Sequence, residues 1–140
     1  MIRIRKIDHV AVCVKDIDES IAKYKHVLGL EPTVREVVTS HKVEAVLLPA
    51  GEASIELLSP KEGNEGMEHF LAKRGPGLHH VAFEVEGIEA ALSTLKALGV
   101  PLLDEAPRPG ARGHKVAFLH PKATGGVLVE LVEPDHATQK

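Results

Sequence analysis

The feature of this chain that most constrains its fold is an internal repeat. Residues 7–30 read IDHVAVCVKDIDESIAKYKHVLGL, and residues 78–100 read LHHVAFEVEGIEAALSTLKALGV. The two stretches align when His9 is set on His80, and after a one-residue gap Gly29 falls on Gly99. Self-similarity of this kind indicates a supersecondary unit that occurs more than once in the fold.

The ends of the two copies also match. Residues 54–60 read SIELLSP and residues 128–134 read LVELVEP, so that Glu56 is set on Glu130. The spacing from the histidine to the glutamate is similar in both copies. We therefore predict module one at about residues 5–60, a connector at about 61–76 and module two at about 77–134.

Each module is predicted to have the element order β-α-β-β-β. Short β-branched runs predict strands, and apolar residues at helical spacing predict a helix that begins after Asp16 and ends at Gly29. The fold class is therefore α+β, with two tandem βαβββ modules that form one domain over residues 1–140 around a shared metal-binding cleft. The predicted strands are 7–14, 33–39, 43–48, 53–58, 80–85, 102–103, 115–119 and 127–132, with helices at 17–28 and 88–98, a connector helix at 67–74 and a loop at 108–113.

Composition excludes several classes of function. The formal charge is -3, whereas nucleic-acid-binding domains normally carry a basic surplus. No apolar run approaches the roughly 20 residues of a membrane-spanning helix, and no apolar signal core follows the basic residues 1–6. A single cysteine, Cys13, excludes an internal disulfide and a multi-cysteine zinc site. We expect a cytoplasmic protein with neither a nucleic-acid nor a membrane partner.

The repeated histidines and glutamates have the chemistry of metal ligands. His9 and His80 lie near the start of the first strand of each module, and Glu56 and Glu130 lie between apolar neighbours in the last strand. Alternation along a strand sends each glutamate to the face opposite its neighbours, and hence into the predicted cleft. Two imidazoles and two carboxylates suit Co, Mn, Ni or Zn. A lone histidine or glutamate in a strand is usually structural, and common ancestry alone could preserve such pairs, but recurrence in both copies favours ligands.

Four stretches of the chain are distinctive, and they read DHVAVCVKD at 8–16, GLHHVAFEV at 77–85, FLHPK at 118–122 and GGVLVELVEP at 125–134. With these stretches and the repeated histidines and glutamates, the chain resembles the vicinal-oxygen-chelate superfamily and, within it, the methylmalonyl-CoA epimerase family. The resemblance covers roughly residues 5–134. It implies that one divalent ion per chain, with Co²⁺ as the first expectation, is bound by His9, Glu56, His80 and Glu130. Some relatives have Gln at the second ligand, so Glu56 makes this site one charge more negative.

The resemblance also implies the reaction, which is epimerisation of (R)- and (S)-methylmalonyl-CoA, a reaction of propionate metabolism, through an enolate stabilised by the bound cation. Bases on opposite faces of the substrate would be Glu44 and Glu130. The implied partners are an acyl-CoA substrate and a second copy of the chain in a homodimer. Candidates for contacts with the CoA phosphates are Arg108, Arg112, Lys115 and Lys122.

Two alternatives remain open. One is a glyoxalase-type lyase or isomerase of the same superfamily, which would use a similar set of four ligands. The other is a non-catalytic small-molecule-binding protein of the resistance type. Such binders usually lose the metal ligands and line the cleft with aromatic residues. Here all four ligands are present and aromatic residues make up 3% of the chain, which favours an enzyme.

Overall fold

The structure is a computed structural model, and it describes residues 1–135. Eight strands and three α-helices follow one another as βαβββ, a connecting helix, and βαβββ again, which confirms the predicted α+β class. In chain order the elements are β1 (Ile4–Cys13), α1 (Ile17–Leu28), β2 (Val34–Val38), β3 (Val43–Ala50), β4 (Ala53–Pro60), α2 (Glu65–Arg74), β5 (Gly77–Val85), α3 (Ile88–Ala97), β6 (Arg108–Pro109), β7 (Lys115–Phe118) and β8 (Val129–Glu133).

The chain divides into two compact units whose limits differ from the modules predicted from the repeat. The first unit is His9–His79, and the second combines Met1–Asp8 with the chain from His80 onward. Contacts of the N-terminal residues explain this assignment. Ile2 packs against the apolar core of the second unit, and Arg5 pairs with Glu84 there. The amino-terminal end of β1 therefore belongs to the unit that contains the second repeat.

In the first unit the strand order is β2-β3-β4-β1, with β1 parallel to β4 and the other neighbours antiparallel. Helix α1 begins as predicted, because the Asp16 carboxylate accepts a hydrogen bond from the Glu19 backbone N–H at 3.0 Å. It ends at Gly29, whose φ of 70° is the left-handed conformation that glycine adopts without strain. The apolar side of α1 covers one face of the sheet, at a buried cluster formed by Val12, Val14, Ile17, Val46, Leu48 and Leu57.

In the second unit the strand order is β5-β8-β7-β6, with β5 parallel to β8 and the other neighbours antiparallel. Helix α3 packs through Ile88 and Leu92 against Val129 and Leu131 of β8. Within each unit, these contacts show which face of the sheet the helix covers.

The predicted strand at 102–103 is wrong, and so is the predicted loop at 108–113. Leu102 makes only an isolated bridge to Leu119, and the sixth strand is Arg108–Pro109, followed by a short 3-10 turn at Ala111–Gly113. The side chain of Asp104 explains why residues 102–103 form no strand. Its carboxylate accepts a hydrogen bond from the Phe118 backbone N–H at 2.9 Å. Because this carboxylate binds the Phe118 N–H of β7, it takes the place of the backbone carbonyl that a neighbouring strand would offer there.

In the described part of the chain, none of the helices has both the length and the apolar character needed to cross a membrane.

Candidate metal centre

The first histidine–glutamate pair lies on the face of the first unit that α1 does not cover. In the parallel pairing of β1 with β4, Ala11 lies beside Glu56, and Val12 lies beside Leu57 in the cluster under α1. His9 is two residues before Ala11, so it points to the same side as Glu56. Both side chains are buried, and His9 Nε2 lies 3.4 Å from Glu56 Oε1.

The second pair repeats this arrangement in the second unit. Ala82 of β5 lies beside Glu130 of β8, and His80 is two residues before Ala82. His80 Nε2 lies 3.4 Å from Glu130 Oε1, and both residues are buried. The ring of Phe118 contacts the His80 imidazole edge to face, with ring centroids 5.0 Å apart. The four residues predicted as ligands thus form two equivalent buried pairs, one in each unit.

The spacing within each pair fits metal coordination. Two ligand atoms that each lie about 2.1 Å from one ion, about 110° apart, are separated by roughly 3.4 Å. A direct hydrogen bond from an imidazole N–H to a carboxylate is usually shorter, at about 2.7–3.2 Å. The Nε2–Oε1 distance of 3.4 Å in both pairs is therefore the one expected of neighbouring ligands. An imidazole nitrogen and a carboxylate oxygen also suit the mixed N and O coordination of first-row transition ions.

Glu44, which the resemblance implied as one of the two bases, does not share a face with Glu56. In the antiparallel pairing of β3 with β4, Leu47 lies opposite Glu56 and Glu44 lies opposite Ser59. Residues directly opposite one another point to the same side, and successive residues alternate. Glu44 is three residues from Leu47, so its side chain points to the face that α1 covers.

The contacts of Glu44 agree with this position. Its carboxylate accepts a hydrogen bond from Arg35 Nε at 2.8 Å, and the same guanidinium donates from Nη1 to Asp18 Oδ1 of α1 at 2.6 Å. The hydrogen bonds that Arg35 donates to Asp18 and Glu44 raise the pKa of Arg35, and the hydrogen bond that Asp18 accepts lowers the pKa of its carboxyl group. Glu44 therefore belongs to an ion-pair chain that joins β2, β3 and α1.

Cys13 behaves as the small buried hydrophobe that the sequence indicated. It is fully buried, and desolvation raises the pKa of its thiol to about 11. Metal ligation by cysteine requires the thiolate, which burial disfavours. Cys13 is therefore a poor ligand, although it lies on the same face of β1 as His9.

Sequence reasoning missed a further acidic residue on the face of the metal ligands. Glu84 of β5 is buried, with 8% of its surface exposed, and alternation places it on the same side as His80 and Ala82. Its carboxylate Oε2 lies 3.6 Å from Arg5 Nη1. The repeat gave no signal, because the residue of the first copy at this position is Cys13 rather than an acid. The alternating pattern of residues 80–84 was the available clue.

Of the four basic residues predicted to contact CoA phosphates, three have carboxylate partners within their own unit. These ion pairs are partly screened by solvent and leave the guanidinium and ammonium groups less available to an anion. The pairs are Arg108 with Asp104 at 3.1 Å, Arg112 with Asp8 at 3.4 Å and Lys115 with Glu89 at 2.9 Å.

Comparison with known proteins agrees with this geometry. Residues 8–118 match the family model of the glyoxalase/bleomycin resistance protein/dioxygenase superfamily. The mitochondrial methylmalonyl-CoA epimerase of Dictyostelium discoideum is 40% identical, over 94% of this chain and 80% of its own length. The chain belongs to the methylmalonyl-CoA epimerase family.

Two further members of the methylmalonyl-CoA epimerase family match this chain over nearly their full length. The ethylmalonyl-CoA/methylmalonyl-CoA epimerase of Cereibacter sphaeroides is 38% identical over 91% of this chain and 97% of its own. A solved methylmalonyl-CoA epimerase in complex with methylmalonyl-CoA and NH4+ is 31% identical, with a TM-score of 0.91 over 96% of this chain and 97% of that one. The predicted glyoxalase fold and the predicted isomerase class are confirmed by these relatives.

Proposed function

We propose that this protein is a methylmalonyl-CoA epimerase, which interconverts the (R) and (S) forms of its thioester substrate. The observation that carries the proposal is the pair of equivalent buried His–Glu sets, each with a 3.4 Å spacing. Relatives with this name are 38–40% identical along most of the chain, and one solved relative holds methylmalonyl-CoA. The substrate class is therefore an acyl-CoA with a carboxylate and a thioester on one carbon.

The same proposal includes one divalent ion per chain, held by His9, Glu56, His80 and Glu130, with Co²⁺ as the first candidate and Mn²⁺, Ni²⁺ or Zn²⁺ as alternatives. Each pair alone supplies two ligands, whereas catalytic ions in proteins usually have at least three protein ligands. Both pairs together would supply four. When bound, such an ion would act as a Lewis acid that polarises the thioester carbonyl and stabilises negative charge on its oxygen.

The residues of the chain have separate tasks in this reaction. The two imidazoles and two carboxylates hold fixed directions, because burial between apolar neighbours restricts their rotation. Inversion at the α-carbon requires removal of a proton on one face and its return on the other, so two proton-transferring groups are needed. Glu130 is proposed to be associated with one of them. The assignment of Glu44 to the other stays a prediction, and its side chain lies on the face under α1.

Deuterium exchange at the α-carbon tests the proposal directly. Each epimer of methylmalonyl-CoA is incubated in D₂O with the Co²⁺-loaded protein and with chelator-treated protein, and exchange is followed by NMR. We expect both epimers to exchange and interconvert only with the loaded protein. Absence of exchange in protein shown to contain the ion would contradict the proposal. Conversion of a glutathione hemithioacetal in the same preparation would favour the glyoxalase-type alternative instead.

Three further expectations belong to this proposal. They are a homodimer, a single domain over residues 1–140 and a cytoplasmic role in propionate metabolism. Light scattering of the purified chain measures the mass of the assembly. A mass equal to one chain at micromolar concentration would contradict the homodimer.

A further inference from the structure

Phe118 of β7 lies directly opposite Glu130 of β8 in the second unit. In an antiparallel pair, opposite residues that exchange no backbone hydrogen bonds have the closest side chains, with Cα atoms about 4.5 Å apart. Phe118 and Glu130 are such residues, because hydrogen bonding alternates along the ladder and the next residue, Leu119, donates its N–H to the Val129 carbonyl at 2.9 Å. The Phe118 side chain is therefore the neighbour of Glu130 on the face of the sheet that carries the second ligand pair.

The ring of Phe118 also packs against the other member of this pair. Its centroid lies 5.0 Å from that of the His80 imidazole, and the angle between the ring planes is 87°. Edge-to-face pairs at this distance are attractive, because the positive edge of one ring meets the negative face of the other. An imidazole held in such a pair rotates less freely about its side-chain bonds. One aromatic side chain thus lies beside both predicted ligands of the second unit.

The backbone of Phe118 is held on the side away from β8. Its N–H donates to Asp104 Oδ2 at 2.9 Å, and its carbonyl accepts from the Leu103 and Asp104 N–H groups at 3.0 and 3.1 Å. A displacement of Phe118 would break these hydrogen bonds, and buried backbone groups without partners are costly. The ring therefore keeps its place beside the two ligands.

The first unit has an aliphatic residue at the equivalent position. Leu47 lies directly opposite Glu56 in the pairing of β3 with β4, as Phe118 lies opposite Glu130. Leu47 is 3% exposed, so a leucine at this position is compatible with the fold of such a unit. A leucine has no ring to place against an imidazole. Core packing at this position therefore does not require an aromatic residue.

We infer that Phe118 is a positioning residue of the proposed metal centre, which holds the His80 imidazole and the Glu130 carboxylate in the directions that coordination needs. The inference rests on the ion of the proposed function, and it assigns Phe118 no contact with the substrate. Ligands that are ordered before the ion arrives lose less conformational freedom when it binds. Replacement of groups that orient metal ligands lowers metal affinity by about 10–100-fold.

The test compares Phe118→Leu with the control variant Phe83→Leu. Phe83 lies on β5 and packs against the core under α3, on the face opposite to His80. Both substitutions exchange a partly buried phenylalanine for a leucine, so their effects on fold stability should be similar. For each protein, the Kd of Co²⁺ is measured by competition with a coloured chelator, and the visible absorption spectrum of the loaded protein is recorded. Circular dichroism of the same samples measures the fold.

We expect Phe118→Leu to raise the Kd of Co²⁺ by about tenfold and to change the absorption bands of the bound ion, since these bands depend on the arrangement of the ligands. Phe83→Leu should keep the Kd and the bands of the unaltered protein. Phe118→Tyr retains the ring and should keep both as well. Phe118→Met replaces the ring with a flexible chain and should resemble Phe118→Leu.

The outcomes that would overturn the inference differ from those that would overturn the proposed function. An unchanged Kd and spectrum in folded Phe118→Leu would overturn the inference alone, and so would an equal loss of affinity in Phe83→Leu or Phe118→Tyr. If Phe118→Leu does not fold, the same criterion applies to Phe118→Met. Unaltered protein that binds Co²⁺ but exchanges no α-proton would contradict the epimerase reaction, while a raised Kd in Phe118→Leu would still support the inference. Failure of the unaltered protein to bind any of the proposed ions would overturn both.

Discussion

Removal of either imidazole should remove most of the stabilisation that a bound ion gives to the fold, because the two pairs are proposed to share one ion. The perturbations are His9→Ala and His80→Ala, one in each compact unit. At a hundredfold excess of free Co²⁺ over its Kd, binding to the native state alone stabilises it by about 2.7 kcal/mol. With an unfolding entropy of about 2.1 cal/mol/K per residue over 140 residues, Tm should rise by about 9 °C.

The loss of one ligand should lower the rise in Tm that Co²⁺ causes. The imidazoles of His9 and His80 are buried, at 4% and 5% exposure, so each substitution removes a ligand that the fold holds in place. Changing a residue that contacts a metal ligand lowers metal affinity by up to about a hundredfold. A loss of this size would raise the Kd until it equals the concentration of free Co²⁺. The stabilisation then falls to about 0.4 kcal/mol and the shift in Tm to about 1.4 °C.

The assay is thermal unfolding by circular dichroism, with and without Co²⁺, and His79→Ala is the matched control. His79 is adjacent to His80 but points to the other face of β5 and contacts the ring of Phe70, with centroids 5.1 Å apart. The control should keep the full shift. If His9→Ala loses the shift while His80→Ala keeps it, the two pairs do not share one ion and the proposed site is wrong.

Three other predictions concern catalysis, pH and packing. Glu44→Gln should keep the fold and the metal content and lower turnover by about 10²–10⁴ in a steady-state assay, and near-normal α-proton exchange of both epimers in this variant would remove Glu44 from the mechanism. Burial raises the thiol pKa of Cys13 from 9.0 to about 11, so the folded state holds this proton more tightly than the unfolded state does. The free energy of unfolding should therefore fall as pH rises through that interval, and urea titrations of Cys13→Ala should lack this component. Gly110→Ala would place a Cβ 2.7 Å from Val116 Cγ1 and should destabilise the fold by about 1–3 kcal/mol. Gly77→Ala is the control, because no atom lies within 4 Å of the added Cβ, and it should leave the stability unchanged. Equal Tm values for the two variants would contradict this packing.

Local patterns were sufficient to predict most elements of the fold. Helix α1 begins at an aspartate cap and ends at a left-handed glycine, and both signals lie within a few residues of the helix ends they determine. The same holds for the alternation that sends Glu56 and Glu130 away from the helices. The recurrence of histidine and glutamate in both copies then indicated the two buried pairs, because two independent strands repeat the same chemistry.

Sequence patterns did not predict two features in which a residue's environment depends on a strand that is not its sequence neighbour. Leu102 and Leu103 resemble a strand, but the Asp104 carboxylate occupies a backbone donor of Phe118. Glu84 resembles a surface acid at the end of a strand, yet the neighbouring strands bury it. Neither outcome follows from a window of adjacent residues, because each depends on contacts with a strand that is distant in the sequence.

The sequence by itself determined the repeat, the α+β class, the limits of α1 and the residue types of the two buried His–Glu pairs. Tertiary structure alone decided that residues 1–8 pack with the second repeat and that Glu44 faces α1. The physical reason in the second case is register. Alternation tells which residues of β3 share a face of the sheet. The β3–β4 turn, in which Ala50 lies opposite Ala53, decides which of these two sets of residues lies on the same face as Glu56. A shift of one residue in that pairing would exchange the two faces of β3, and no residue within the strand specifies it.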